Sequence, residues 1–185
     1  MYKVALVVGS LRKDSINKKL ARALEKAGNG LLEFKTIDIS QIPLYNGDLE
    51  ASFPQAVQRM KDEVAACDAV IFVTPEYNRS IPGVLKNTLD WGSRPMSANV
   101  WAGKPAAMTG ASEGAIGTAV AQSQLRSILG FLGLRLTVQP ELYFQYRAGL
   151  IADDGGVTDE KTLKYLQRFL SAFKDWIDEL KNGRS

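Results

Sequence analysis

The apolar run Val4-Ala5-Leu6-Val7-Val8 breaks off at Gly9 into GSLRKDSIN, a stretch of hydroxyls and basic residues that ends at Asn17. Five apolar residues without polar alternation make a strand buried on both faces, and such strands belong to parallel sheets covered by helices. The break therefore marks a βα turn at the rim of a sheet, with a helix starting at about residue 16. Free N–H groups of a first helical turn converge on one point, and the helix dipole favours an anion there. Ser10 and Ser15 can add hydroxyl donors, and Arg12 a charge-assisted fork. Each bond to a charged group is worth roughly 1.5–3 kcal/mol, so a few of them hold a phosphate monoester in the micromolar range. The same residues also suit an ordinary βα turn, with Ser15 as N-cap and Arg12 in water.

The rest of the chain repeats this alternation. Strands are expected at 3–8, 32–39, 69–74, 104–109 and 134–138. Helices are expected at about 16–27, 54–66, 82–91 and 115–131, with a last one following Thr158 as N-cap. That last helix carries Leu163, Leu166, Leu170, Phe173, Ile177 and Leu180 at helical spacing. Residues 140–156 read as irregular. Five βα units with right-handed crossovers give an α/β fold, a three-layer, doubly wound sheet of five parallel strands in one domain over residues 1–185. No linker, repeat or low-complexity tract interrupts it.

Composition narrows the chemistry. There is no histidine, so triads, cysteine–histidine pairs and histidine-built metal sites are all excluded. The single cysteine, Cys67, forbids an internal disulfide and reads as a half-buried small hydrophobe. A net charge of +3, with its cations scattered, argues against a nucleic-acid partner but favours anionic small molecules. No apolar run reaches the roughly 18 residues of a membrane span. The first strand begins at once, so no signal peptide is expected and the cytoplasm is the expected location. Redox or group-transfer chemistry must come from a bound cofactor or from carboxylates.

Ligands of open parallel sheets sit beyond the carboxyl ends of the strands, so two further loops matter. The one after the third strand, Pro75-Glu76-Tyr77-Asn78-Arg79-Ser80-Ile81-Pro82, is stiffened by prolines at both ends. It can present backbone groups and the Asn78 amide to the polar edge of a flat heteroaromatic ring, and Tyr77 as a stacking face. Ser80 reads as the N-cap of the next helix. The loop after the fourth strand, Gly110 to Gly117, is rich in glycine and lets backbone approach a ligand closely. Ser112 and the N–H groups up to Gly114 are expected where the fourth helix begins.

GSLRKDSIN, together with TPEYNRSIPGVLKNTLDW (74–91) and TGASEGAIGT (109–118), resembles the NADPH-dependent FMN reductase family, nearest its bacterial quinone- and chromate-reducing branch. The resemblance implies a flavodoxin-like fold, strand order 2-1-3-4-5, with non-covalent FMN and NAD(P)H as co-substrate. On matching positions, Ser10, Arg12, Ser15, Ile16 and Asn17 would cradle the FMN phosphate. Pro75, Glu76, Tyr77 and Asn78 would border the isoalloxazine, and Ser112 with Gly114 would meet its other edge. The Glu76 side chain is expected to face solvent. The implied cycle is ping-pong: hydride passes from nicotinamide to flavin, then a quinone or chromate takes the electrons, and no side chain acts as acid or base. The resemblance also implies a homodimer or homotetramer, with Arg94, Glu141 and Tyr143 near subunit contacts; Phe131 and Leu132 read instead as core.

Three other readings are weaker on the residues. A dinucleotide-binding Rossmann protein would use Asp38 for a ribose, but the first turn lacks G-x-G-x-x-G. A phosphatase of this topology needs a cysteine in the first loop. A non-enzymatic FMN carrier would be expected to be acidic, and this chain is not.

Overall fold

A computed structural model describes residues 1–183. β1 (Tyr2–Val8) is flanked by β2 (Leu32–Thr36) and β3 (Ala69–Val73), all parallel. β4 (Pro105–Ser112) pairs with β3, so the order runs β2-β1-β3-β4-β5, the expected topology. Val4 to Val8 lie opposite Ala69 to Val73 in register. The ends of β1 and β3 therefore reach the rim together, and their loops leave side by side.

Because strand side chains alternate between faces, β1 feeds two cores. Val4, Leu6 and Val8 meet α1 (Ile16–Ala27) through Leu20 and Leu24, and α5 (Glu160–Lys181) through Phe169 and Phe173. Ala5 and Val7 belong to the opposite core, built on α2 (Gln55–Ala65), α3 (Gly83–Gly92) and α4 (Ala119–Phe131). Cys67 is buried in that second core.

The far edge of the sheet departs from expectation. The fifth strand shrinks to β5 (Arg135–Leu136), paired with Pro105 and Ala106. After Pro140, which has no N–H to continue a ladder, the chain returns as β6 (Leu142–Gln145) alongside Thr109 to Ser112. The sheet thus has six strands, and part of the segment expected to be irregular is regular. The Thr109 hydroxyl and Gln122 amide both donate to the Leu142 carbonyl, at 2.8 and 3.1 Å, fixing β6 in place.

Several boundaries move as well. β2 ends at Thr36, three residues short of the expected end at 39, and α4 begins at Ala119 because β4 continues to Ser112. Asp159 caps α5, accepting from the Thr162 N–H at 2.7 Å, while the Thr158 hydroxyl donates to the Gly149 carbonyl. Ser80 caps nothing; its hydroxyl donates to Gln124 at 2.6 Å. Leu132 is buried as expected, but Phe131 is 84% exposed. Among the described residues, no helix is long and apolar enough to cross a membrane.

Asp68, in the turn before β3, ties both chain ends to the sheet. Its carboxylate accepts from the Lys181 ammonium at 2.7 Å and the Lys3 N–H at 2.9 Å, which hold it below the usual carboxylate range. A carboxyl depressed in the folded state stabilises fully above its unfolded value and loses that contribution as pH falls through the folded one. Asp68→Asn is therefore expected to be less stable than the parent near neutrality, with the gap closing as pH drops below about 4. Thermal melts across that range check this; a gap that does not change with pH contradicts it.

Candidate functional site

The turn after β1 is locked before it reaches the helix. Gly9 N–H donates to the Val73 carbonyl at 2.9 Å, and a Cβ at Gly9 would lie 3.1 Å from Leu85, so α3 closes over the turn. Ser15 caps α1, accepting from the Lys18 N–H at 3.3 Å. Among the described residues, the N–H groups of Ile16 and Asn17 have no partner, and the first turn of α1 carries no acidic residue. Ser10 and Ser15 are both buried, while Arg12 is exposed and has no carboxylate within 4 Å among the described residues. Free donors, two hydroxyls and a free guanidinium thus converge, as an anion requires.

The Asn17 side chain does something else. Its amide donates to the Ala111 carbonyl at 2.9 Å and accepts from the Ala111 N–H at 2.8 Å. It bolts the start of α1 to the tip of β4, which leaves Asn17 only its backbone N–H facing the cavity as a free donor.

Glu76 corrects a second expectation. Its side chain does not face solvent: one carboxylate oxygen accepts from the Val120 and Ala121 N–H groups at 3.1 and 3.0 Å. Thr118 makes no side-chain cap, so Glu76 caps α4 from another loop and meets its positive end. The dipole of α4 therefore does not point at Ser112 or Gly114, as the sequence suggests. Instead Ser112, at the end of β4, accepts from the Gly114 N–H at 2.9 Å and curls that loop on itself.

Between Tyr77 and Ser80 the backbone makes two reciprocal hydrogen bonds, at 2.9 and 3.0 Å, around Asn78 (φ 50°) and Arg79 (φ 66°). Two successive positive φ values define a type I′ turn. Arg79 sits there at a cost of about 1 kcal/mol, held because Gln124 of α4 grips the Arg79 carbonyl at 2.7 Å and the Ser80 hydroxyl.

These elements enclose a cavity of about 370 Å³. The structure brings Ser10, Arg12, Ser15, Ile16, Asn17, Pro75, Glu76, Tyr77 and Ser112 to its wall. Asn78 and Gly114 are left at the rim, Asn78 on the exposed tip of its turn. Asp14, Ala111 and Glu113 line it too and were not singled out in the sequence. Ala111 carries no sequence signal, whereas Asp14 and Glu113 lie inside the two loops already marked as chemical. At one end the cavity offers anion donors; at the other it offers the rigid Pro75 corner and the 47% exposed ring of Tyr77. Its lining thus sets groups that can donate to an anion beside an exposed aromatic ring.

Residues 2–148, which contain all three loops, match the model of the NADPH-dependent FMN reductase family. The chain belongs to that family. FMN is accordingly its cofactor and NAD(P)H its substrate. Similar curated proteins include a 2-hydroxy-1,4-benzoquinone reductase of a Burkholderia species, 47% identical over 95% of this chain and 96% of the relative. A quinone reductase of Pseudomonas putida is 47% identical over 96% and 95%. Among solved structures, a flavoenzyme NAD(P)H:(acceptor) oxidoreductase of Paracoccus denitrificans superposes with a TM-score of 0.93 at 50% identity, covering 97% and 98%. A Pseudomonas aeruginosa flavodoxin, at 22% identity and TM-score 0.57, shares the fold.

Proposed function

We propose that this FMN reductase family member transfers electrons from NAD(P)H to quinones in a ping-pong cycle, with chromate as a further acceptor. What carries the reading is the single cavity in which unpartnered helix N–H groups and Arg12 face a stiff ring-edge loop. The names of the Burkholderia and Pseudomonas relatives support the quinone. Bound FMN supplies the hydride acceptor and electron donor that the twenty side-chain types lack.

The chain's own contribution is to bind and orient. The Ile16 and Asn17 N–H groups, the Ser10 and Ser15 hydroxyls and Arg12 take the phosphate. Pro75, Glu76 and Tyr77 border the ring, Glu76 through its backbone because its carboxylate caps α4. Asn78 and Gly114 act from the rim, and the Ser112 hydroxyl, accepting from Gly114, keeps its proton free to donate toward the ring's other edge. The exposed Tyr77 ring would flank the open face of the bound flavin that nicotinamide and then the acceptor would approach. With no histidine in the chain, water protonates the product.

The proposal includes a single cytoplasmic domain that works as a homodimer or homotetramer. Phe131 (84% exposed) and Val138 (66% exposed) are apolar side chains left available for such contacts.

A visible spectrum of the purified protein, followed by anaerobic NAD(P)H titration with a quinone chase, tests the cycle. A yellow protein that bleaches with one equivalent of nucleotide and recovers with quinone is expected. A colourless preparation that takes up no FMN sinks the reading. Arg12→Ala is expected to weaken FMN binding by about 1.5–3 kcal/mol, the size of a charged hydrogen bond; full flavin content after gel filtration and an unchanged fluorescence titration would remove Arg12 from the cradle.

A further inference from the structure

A second cavity, of about 270 Å³, opens on the other side of the β1 turn, between α1 and the end of β2. Ser10 lines both cavities, so the two adjoin. Leu11 supplies exposed apolar wall, Ile37 and Ile39 line the floor with their side chains buried in the opposite core, and Lys18 and Arg22 face the cavity from one side of α1, four residues apart. Neither cation has a carboxylate within 4 Å among the described residues, although Lys19 and Lys26 on the same helix pair with Asp153 and Asp154. The Lys18 ammonium reaches only the Leu11 carbonyl at 3.5 Å, and the buried Arg22 Nε has no hydrogen-bond partner.

The opposite wall holds Asp38, whose charge is already answered. Its carboxylate accepts from the Ser40 N–H at 2.9 Å and meets Arg59 at 3.5 Å. The Ser40 contact keeps that carboxyl below its usual range. The cavity therefore combines two cations that form no ion pair within 4 Å among the described residues, an exposed apolar residue and an ionised hydroxyl acceptor. A buried guanidinium nitrogen without a partner is costly unless something else meets it. An adenosine phosphate has the matching parts: a flat base, ribose hydroxyls and a phosphate.

We propose that this cavity receives the adenosine 2′-phosphate end of NADPH. Lys18 and Arg22 hold the phosphate, the base lies against Leu11, and Asp38, its charge offset by Ser40 and Arg59, accepts from the 3′-hydroxyl that the 2′-phosphate leaves free. Ser10, which lines both cavities, sets this pocket beside the phosphate end of the flavin cavity. This rests on the oxidoreductase reading above and makes Lys18 and Arg22 the residues that favour NADPH over NADH. Sequence inspection finds no 2′-phosphate pocket because Lys18 and Arg22 on α1 and Asp38 and Ser40 after β2 are brought together only by the fold.

Calorimetry of the FMN-loaded enzyme with adenosine 2′-monophosphate and adenosine 5′-monophosphate tests the pocket apart from turnover. The 2′-isomer is expected to bind more tightly, to be displaced by NADPH and to lose about tenfold or more in affinity in Lys18→Ala and in Arg22→Gln, the equivalent of one charged hydrogen bond. In steady state the same variants raise the KM for NADPH about tenfold relative to that for NADH. No heat with the 2′-isomer, or a KM ratio that moves less than twofold in both variants, overturns the assignment. Binding that NADPH does not displace assigns the cavity to a free nucleotide and breaks its link to the dinucleotide. An enzyme that oxidises neither nucleotide fails the oxidoreductase reading instead, and the calorimetry still decides what the cavity holds.

Discussion

Asn17→Ala is expected to lower folding stability by about 2–4 kcal/mol and to loosen the flavin cavity. The reason lies in how β4 outruns its neighbour. The β3–β4 register ends at Val73 and Thr109, and the Thr74 N–H donates to the Thr109 carbonyl at 2.8 Å. Ala111, two residues on, turns its N–H and C=O toward the same side, where no strand remains. The Asn17 amide fills that place, donating at 2.9 Å and accepting at 2.8 Å. Both residues are 2% exposed, so water cannot replace the lost amide. Each orphaned buried group costs about 1–3 kcal/mol. Because the same contact ties the phosphate loop to the tip of β4, flavin retention should fall with stability. Urea unfolding that places the variant within about 0.5 kcal/mol of the parent would show that the clasp carries no such load.

Gly110→Ala should be more damaging still, at about 3 kcal/mol or more. A Cβ at Gly110 would stand 1.9 Å from the Thr74 carbonyl oxygen and 2.3 Å from the Thr118 hydroxyl. The first of these is backbone at the β3 rim and cannot rotate away. Relief requires β3 and β4 to part where the site loops emerge. Gly83→Ala is the natural control: nothing lies within 4 Å of the added carbon there, and the position opens α3. Expression level and melting temperature of the two variants separate a local steric effect from general intolerance. Equal stability of both would refute the close approach at Gly110.

The sequence shows plainly what depends on short-range pattern. Val4–Val8 and 69–73 declare buried strands by their unbroken apolar runs, and the hydroxyl-rich stretch between Gly9 and Asn17 marks the βα turn where α1 begins. Long-range partners leave no such trace. Nothing local says that the Asn17 amide reaches across 94 residues, or that Glu76 caps a helix 44 residues downstream. Both residues were read by the loop they sit in, when their side chains serve the neighbouring loop. Leu142–Gln145 shows a related failure. Its burial alternates as a half-covered strand should, yet four residues between a proline and a glycine-rich turn are too few for periodicity to register. At α5, Thr158 and Asp159 are both good caps, and only the backbone geometry chooses Asp159. The expected start of the fourth helix at 115 falls inside a turn that Gly117, at φ 60°, prolongs, so α4 begins only at Ala119.

The border of the sheet made from two short pieces has a wider meaning. β5 braces the root of β4 and β6 braces its tip, while residues 137–141 join them, tied to the helices, among the described residues, only through Glu141. The stretch between them carries none of the cofactor's scaffolding, so descendants of this fold can lengthen, shorten or redecorate it and leave the flavin's footing intact. It is the natural seam along which such an enzyme changes its oxidants or its neighbours without relearning how to hold its prosthetic group.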